Sequence, residues 1–232
     1  MRSAYQIRTV GPPGWRRLGP VTRAALVLTS LGYLAALFPA FPVDLLTAVP
    51  NRIVPAGEVW RLVTYPLVNV GIISVLFGLL LLWSFGSELE PEWGSRGFAL
   101  FLLLASLSGA VLGVGAALLL GGAFGTGYGL AGPLTAVIAA WMLEGPSRPT
   151  NFFGVLPMTR KVFALIAILV VAFGELEQTH SVARLVFVLG GLPVSWWWAR
   201  RRPFRGRLSF RPPRFFRRRR FRVIGGDDDR IH

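Results

Sequence analysis

From residue 24 to residue 198 the chain is almost neutral, with seven basic and eight acidic side chains, yet both flanks are strongly cationic. Residues 1–23 hold five arginines and no acid, and residues 199–232 hold thirteen arginines against Asp227, Asp228 and Asp229. The whole sequence is 53% hydrophobic and 16% charged, whereas a soluble domain carries about a quarter charged residues. An apolar, neutral middle between two basic ends excludes a typical soluble enzyme, a disordered chain and a repeat solenoid. It predicts an integral membrane protein with both ends on the same, positive side. Three parts follow: a basic N-terminal segment (1–23), a membrane domain (24–198) and an arginine- and phenylalanine-rich tail (199–232). The absence of cysteine excludes disulfides, thiolate metal sites and cysteine nucleophiles. With only two histidines, one of them His232, no metal site and no cofactor is expected. Twenty-four of the 25 basic residues are arginine, a usage that points to a bacterial source with a GC-rich genome.

A helix crosses the hydrocarbon core with about 20 mostly apolar residues, and six segments qualify. The first covers about 24–46, its far end made irregular by Pro39 and Pro42. The others cover about 70–85, 98–120, 132–143, 162–173 and 182–198. A polar-aromatic loop (47–67), an acidic turn (86–97), a glycine-rich link (121–129) and a loop at 144–161 connect them. Pro133 suits a helix start, where proline's missing N–H costs nothing. The expected fold is therefore an all-α, six-helix membrane bundle. With the ends in the cytoplasm, 22 Lys and Arg lie inside and two, Arg52 and Arg61, lie outside. That asymmetry follows the positive-inside rule and places the protein in the cell (inner) membrane, multi-pass, both termini cytoplasmic. Trp196, Trp197 and Trp198 are expected to anchor the last segment at the interface.

Three local patterns recur in one family. Trp60-Arg61 is followed by Thr64 in the first external loop. Gly86, Glu88, Glu90, Gly94 and Ser95 form a glycine-acid-small turn between the second and third segments. Gly129-Leu130-Ala131-Gly132 opens the fourth. In this order the chain resembles the rhomboid family of intramembrane serine proteases and their inactive, derlin-like relatives over residues 22–198. The resemblance implies a six-helix bundle with a serine nucleophile in Gly-X-Ser-Gly, an oxyanion-binding His and Asn four residues apart on the second helix, and a basic histidine on the sixth.

The match fails where chemistry would occur. The nucleophile position is Ala131, and a methyl group cannot attack a carbonyl. The oxyanion positions are Ser74 and Gly78, where the family's donors would contribute about 10²–10³ in rate. His180 is the one candidate base, but three and seven residues on stand Ala183 and Phe187. Matching the family glycine to Gly190 or Gly191 puts Ala183 or Arg184 at the base position instead. The expectation is a pseudoprotease, not an enzyme, that binds or holds transmembrane segments of other proteins without proteolysis. An accessory or structural subunit of a larger membrane complex is the alternative. An active protease using Thr135, one turn beyond Ala131, is the third.

Other residues carry expectations of their own. Trp60 and Arg61 are expected to fix the outer loop, arginine bonding backbone carbonyls, with client contact as the sharper role. Arg184, with His180 on the same helical face and Glu175 and Glu177 just ahead, either snorkels towards those carboxylates or lines a cavity that receives a client helix. Ala105, Gly109, Gly113 and Ala117 repeat every four residues, a spacing that lets helices approach closely in lipid; internal packing is preferred over a dimer or substrate face. The Arg/Phe tail is expected to lie on anionic lipid, with nucleic acid the lesser fit. Around Ala131, Ser74 and Gly78 the second and fourth helices are expected to close on each other, leaving no water path.

Overall fold

The computed structural model describes residues 8–10, 14–15, 18–38, 40–120, 126–146, 149–152, 156–179 and 181–201. The tail beyond Arg201 and His180 lie outside them. Helices dominate. α1 (Pro20–Ala36) has proline in its first turn and takes no cap from Gly19 ahead of it. Its first donors go to a distant side chain: Glu90 accepts from Val21 N–H at 3.0 Å and from Thr22 N–H at 2.8 Å. The helix ends at Ala36, ten residues short of the expected Leu46, and a 3-10 turn (Val43–Leu45) leads into the loop. Two one-turn helices follow, α2 (Pro50–Ile53) and α3 (Arg61–Thr64).

The longest element, α4 (Ile72–Leu119), is two helices meeting at Gly94, whose φ of 75° and ψ of 155° break the helical path. Glycine alone adopts that conformation without steric cost. The acidic turn expected over 86–97 is thus mostly helix, and the reversal is compressed into one residue. α5 (Ala131–Leu143) is apolar on every side and buried from Gly132 to Trp141, as an all-round hydrophobic helix must be. α6 (Arg160–Thr179) runs six residues beyond the expected Phe173. The last expected helix is two, α7 (Val182–Leu189) and α8 (Leu192–Arg201). They part at Gly190-Gly191, where a Cβ on Gly190 would stand 2.9 Å from Gly109 Cα and one on Gly191 2.9 Å from the Ala136 Cβ. The bundle is too tight there for a side chain.

A small three-stranded sheet departs from the all-helical reading. β1 (Arg8–Val10) pairs in parallel with β2 (Pro149–Phe152), and β2 pairs antiparallel with β3 (Leu156–Thr159). The first pairing joins residues about 140 apart, which no local pattern announces. α4 packs against α1, α5 and α7, with α5 also contacting α6 and α8. The core holds two aromatic groups: Phe85, Trp141 and Phe163, and then Trp93, Phe98, Phe101 and Trp198. Trp198 is therefore a core residue rather than an interfacial anchor; Trp196 and Trp197 remain outside under Arg200 and Arg201. Leu28, Leu31, Leu34, Leu169, Val170 and Phe173 are exposed, an apolar exterior far larger than a soluble surface carries. Among the described residues α4 is long and apolar enough to cross a membrane by length and composition, and α1 and α5 are shorter apolar helices.

Candidate functional site

Where α5 begins, the wall of the bundle is open. A cavity of about 310 Å3 lies between the first half of α4, the start of α5 and the second half of α6. Ser74, Phe77 and Gly78 line it from α4, Leu130, Ala131 and Leu134 from the α5 side, and Val170, Gly174 and Glu175 from α6. The chain reaches Ala131 through Gly129, whose φ of 94° makes the turn. Gly129 N–H donates to the Tyr65 carbonyl at 3.0 Å. Leu130 N–H donates to Asn69 Oδ1 at 2.8 Å, while Asn69 Nδ2 donates to the Pro66 carbonyl at 3.1 Å. Asn69 so ties the outer loop to the α5 entrance. Sequence reasoning passed it over, although an amide standing two residues before Gly71 in an apolar stretch was the available signal.

The three residues that the resemblance places at the family's catalytic positions, Ala131, Ser74 and Gly78, do converge on this cavity. The expected closure is only partial. A Cβ on Gly78 would meet Leu130 Cδ2 at 3.5 Å, ordinary contact, so α4 and the α5 entrance do approach there. Beside that contact the space stays unfilled, because Ala131, Gly78 and Gly174 supply almost no side-chain volume while α5 is pinned on its other faces. Thr135 does not reach the cavity: it is fully buried and its hydroxyl lies between the Gly132 and Val188 carbonyls. A hydroxyl has one proton to donate, and both partners here are acceptors. Neither is a base poised to activate it.

Arg184 is the α7 side chain that serves the site, from behind. It is 3% exposed and turns to one of the two expected carboxylates, Glu175. Its Nε donates to Glu175 at 2.9 Å, Nη1 to the Thr126 carbonyl at 2.7 Å and Nη2 to the Tyr128 carbonyl at 3.1 Å. The guanidinium also sits 3.2 Å from the Tyr128 ring centre. One arginine therefore joins α6, α7 and the link before α5. His180, the other candidate, lies outside the described residues, as does any account of its partners.

Trp60 and Arg61 stand apart from the cavity. Arg61 is fully buried, donating to the Thr47 carbonyl at 2.8 Å, to the Asp44 carbonyl and to Glu58. Thr64 Oγ1 donates to the Leu46 carbonyl at 3.0 Å and Trp60 Nε1 to the Leu45 carbonyl at 3.3 Å. All of these bonds except the one to Glu58 hold the 44–47 segment, and the Trp60 ring stays half-exposed. At the opposite end, Glu88 accepts from Trp141 Nε1 and from Arg160, each at 2.8 Å, and Glu90 accepts from Thr22 and Ser95 hydroxyls. The small-residue stripe faces inward: a Cβ on Gly109 would stand 2.8 Å from the Phe187 carbonyl and one on Gly113 would enter the Phe187 ring, while Ala105 and Ala117 are buried. Among the described residues no group of three His, Cys, Asp or Glu side chains gathers to hold a metal.

With this geometry in view, residues 22–202 match the family described as Eukaryotic integral membrane protein (DUF1751). Curated relatives are rhomboid proteases. The chain is 31% identical over 184 residues to the rhomboid protease GlpG of Photorhabdus laumondii, covering 78% of this chain and 62% of that protein. It is 26% identical over 183 residues to GlpG of Yersinia pseudotuberculosis, covering 77% and 63%. It is 38% identical over 64 residues to the rhomboid protease GluP of Bacillus subtilis, covering 28% and 13%. The chain thus spans less than two thirds of the length of each of these relatives.

Proposed function

The chain belongs to the Eukaryotic integral membrane protein (DUF1751) family within the rhomboid-like superfamily of membrane proteins, and from that premise we propose that it is a pseudoprotease, one that holds transmembrane segments of other proteins without cutting them. One observation carries the reading: the cavity is open, and the residue on its wall at the family's nucleophile position is Ala131. Ser74 and Gly78 stand at the oxyanion positions, and the carboxylate that lines the same cavity, Glu175, is ion-paired to Arg184. Arg184 cannot act as a base, since a guanidinium stays protonated at any physiological pH. What is left is a mostly apolar notch on the side of a bundle. Such a notch receives side chains of a passing helix.

The proposed topology has six crossings: α1, the two halves of α4, α5, α6 and the α7–α8 pair. Both termini lie in the cytoplasm of a bacterial cell, and the basic tail rests on anionic lipid. The subunit reading draws its support from a small-residue stripe free to meet a partner, and that stripe packs against α7 within this chain. The active-protease reading needs Thr135 to face substrate, and its hydroxyl is enclosed by carbonyls. The deciding experiment incubates the purified protein in vesicles with a generic transmembrane substrate and, separately, with a serine-directed fluorophosphonate. Intact substrate that co-purifies with the protein, with no covalent adduct, is the expected result; cleavage or labelling ends the pseudoprotease reading.

A further inference from the structure

Among the described residues that line the cavity, Glu175 is the single charged side chain. Its ion-pair partner stands behind it: the Arg184 side chain is 3% exposed and that of Glu175 17%. The end of the pair turned to the opening is therefore the carboxylate. Arg184 is fixed in that rear position by the Thr126 and Tyr128 carbonyls and the Tyr128 ring, so the pair cannot simply turn round. Ionisable groups inside membrane segments are costly to keep and face an interior or a cavity. Glu175 balances the buried Arg184, and its carboxylate is the end of that pair that the cavity reaches.

We propose that Glu175 is a specificity-determining residue, and that the cavity takes transmembrane segments carrying a lysine or arginine within their apolar stretch. This rests on the client-holding reading above and names its client class. A helix with side chains is about 10–12 Å across, so a cavity of about 310 Å3 admits a side chain and not a helix. A lysine or arginine stem buries along apolar surface while its head seeks a polar partner, and here Phe77, Leu81 and Val170 form that surface on the way to Glu175. A carboxylate offers about four acceptor sites, so a client cation adds to Arg184 rather than displacing it. A client carboxylate at the same depth meets like charge. Ser74, on the α4 wall, supplies a further hydroxyl acceptor for the incoming head.

The test uses the full chain in phosphatidylcholine vesicles with three fluorescent leucine-alanine transmembrane peptides. They are identical except for one residue in the outer third: leucine, lysine or glutamate. Energy transfer to labelled protein reads binding. The lysine peptide is expected to bind about tenfold or more tighter than the leucine peptide, and the glutamate peptide more weakly than either. Glu175→Gln should bring the lysine peptide to the leucine level and leave the leucine peptide unchanged. Should that variant fail to fold with Arg184 left unpaired, Glu175→Gln with Arg184→Met removes both charges and reads the same loss. Equal binding of all three peptides overturns the specificity inference and leaves client holding intact. Binding of none overturns client holding itself.

Discussion

At the scale of single residues, the outer loop and the cavity entrance are each held by one buried polar side chain that bonds distant backbone. Arg61 serves the Asp44 and Thr47 carbonyls from Nη1 and Glu58 from Nε. Arg61→Ala is expected to destabilise the protein by roughly 1–3 kcal/mol for each acceptor it strands, and Arg61→Lys should recover only part of that, because one ammonium cannot occupy the Nε and Nη1 positions together. Thermal unfolding in detergent checks both. For Ala131 the expectation runs the other way: Ala131→Ser changes stability little and gives no proteolysis. The Leu130 N–H is already taken by Asn69, Gly78 supplies no side chain and Arg184 is no base. Cleavage of a transmembrane substrate by that single variant would show the site to be far less decayed. Ala131, Ser74 and Gly78 could be singled out in sequence, and they do line one cavity; Asn69 could not, because its role depends on a backbone amide 61 residues away.

The elements were legible as apolar stretches and much less so in their ends. A span is visible because about 20 residues share one property, whereas an end is set by a cap or a collision elsewhere. α1 starts where Glu90, 68 residues on, accepts its first N–H groups. Glu90→Ala should therefore fray α1, with each stranded N–H costing about 1–3 kcal/mol, seen as faster hydrogen exchange at Val21 and Thr22. Glycines in α4 separate three physical situations. Gly94→Ala meets no neighbour within 4 Å but must hold a φ of 75°, so about 1–3 kcal/mol of backbone strain is expected. Gly109→Ala pushes a methyl against the Phe187 carbonyl at 2.8 Å, an overpacking cost of about 1–3 kcal/mol. Gly115→Ala has open space around it and should stay within about 0.5 kcal/mol of the parent. Unfolding of the three variants in one detergent orders them, and equal losses at all three would contradict the packing of α7 on α4.

For the whole molecule, the charge asymmetry makes a topology that single-cysteine labelling can read directly, since the chain has no cysteine of its own. Ser3→Cys and Ser209→Cys should react with a membrane-impermeant maleimide only after the cytoplasmic face is opened. Val54→Cys, on the loop that carries Arg52 and Arg61, should react from the outside. The reverse pattern, or reaction of the two ends on opposite faces, would refute the proposed six crossings.

Hydropathy and charge determined that this chain is an apolar membrane bundle between basic ends, and its motifs in register carried the likeness to the rhomboid family. Those properties sum over neighbours in sequence and need no knowledge of what lies across the bundle. Tertiary structure decided that the small-residue stripe packs inward, that Trp198 joins the core and that β1 finds β2. It also decided that Arg184 reaches the Thr126 and Tyr128 carbonyls besides the carboxylate of Glu175 that its spacing had suggested, and that a cavity survives beside Ala131. Each of these depends on which surfaces meet once the helices pack. Arg184 illustrates the reason: its side chain reaches carbonyls 58 and 56 residues away, a relation that exists only after α7 has closed against the entrance of α5.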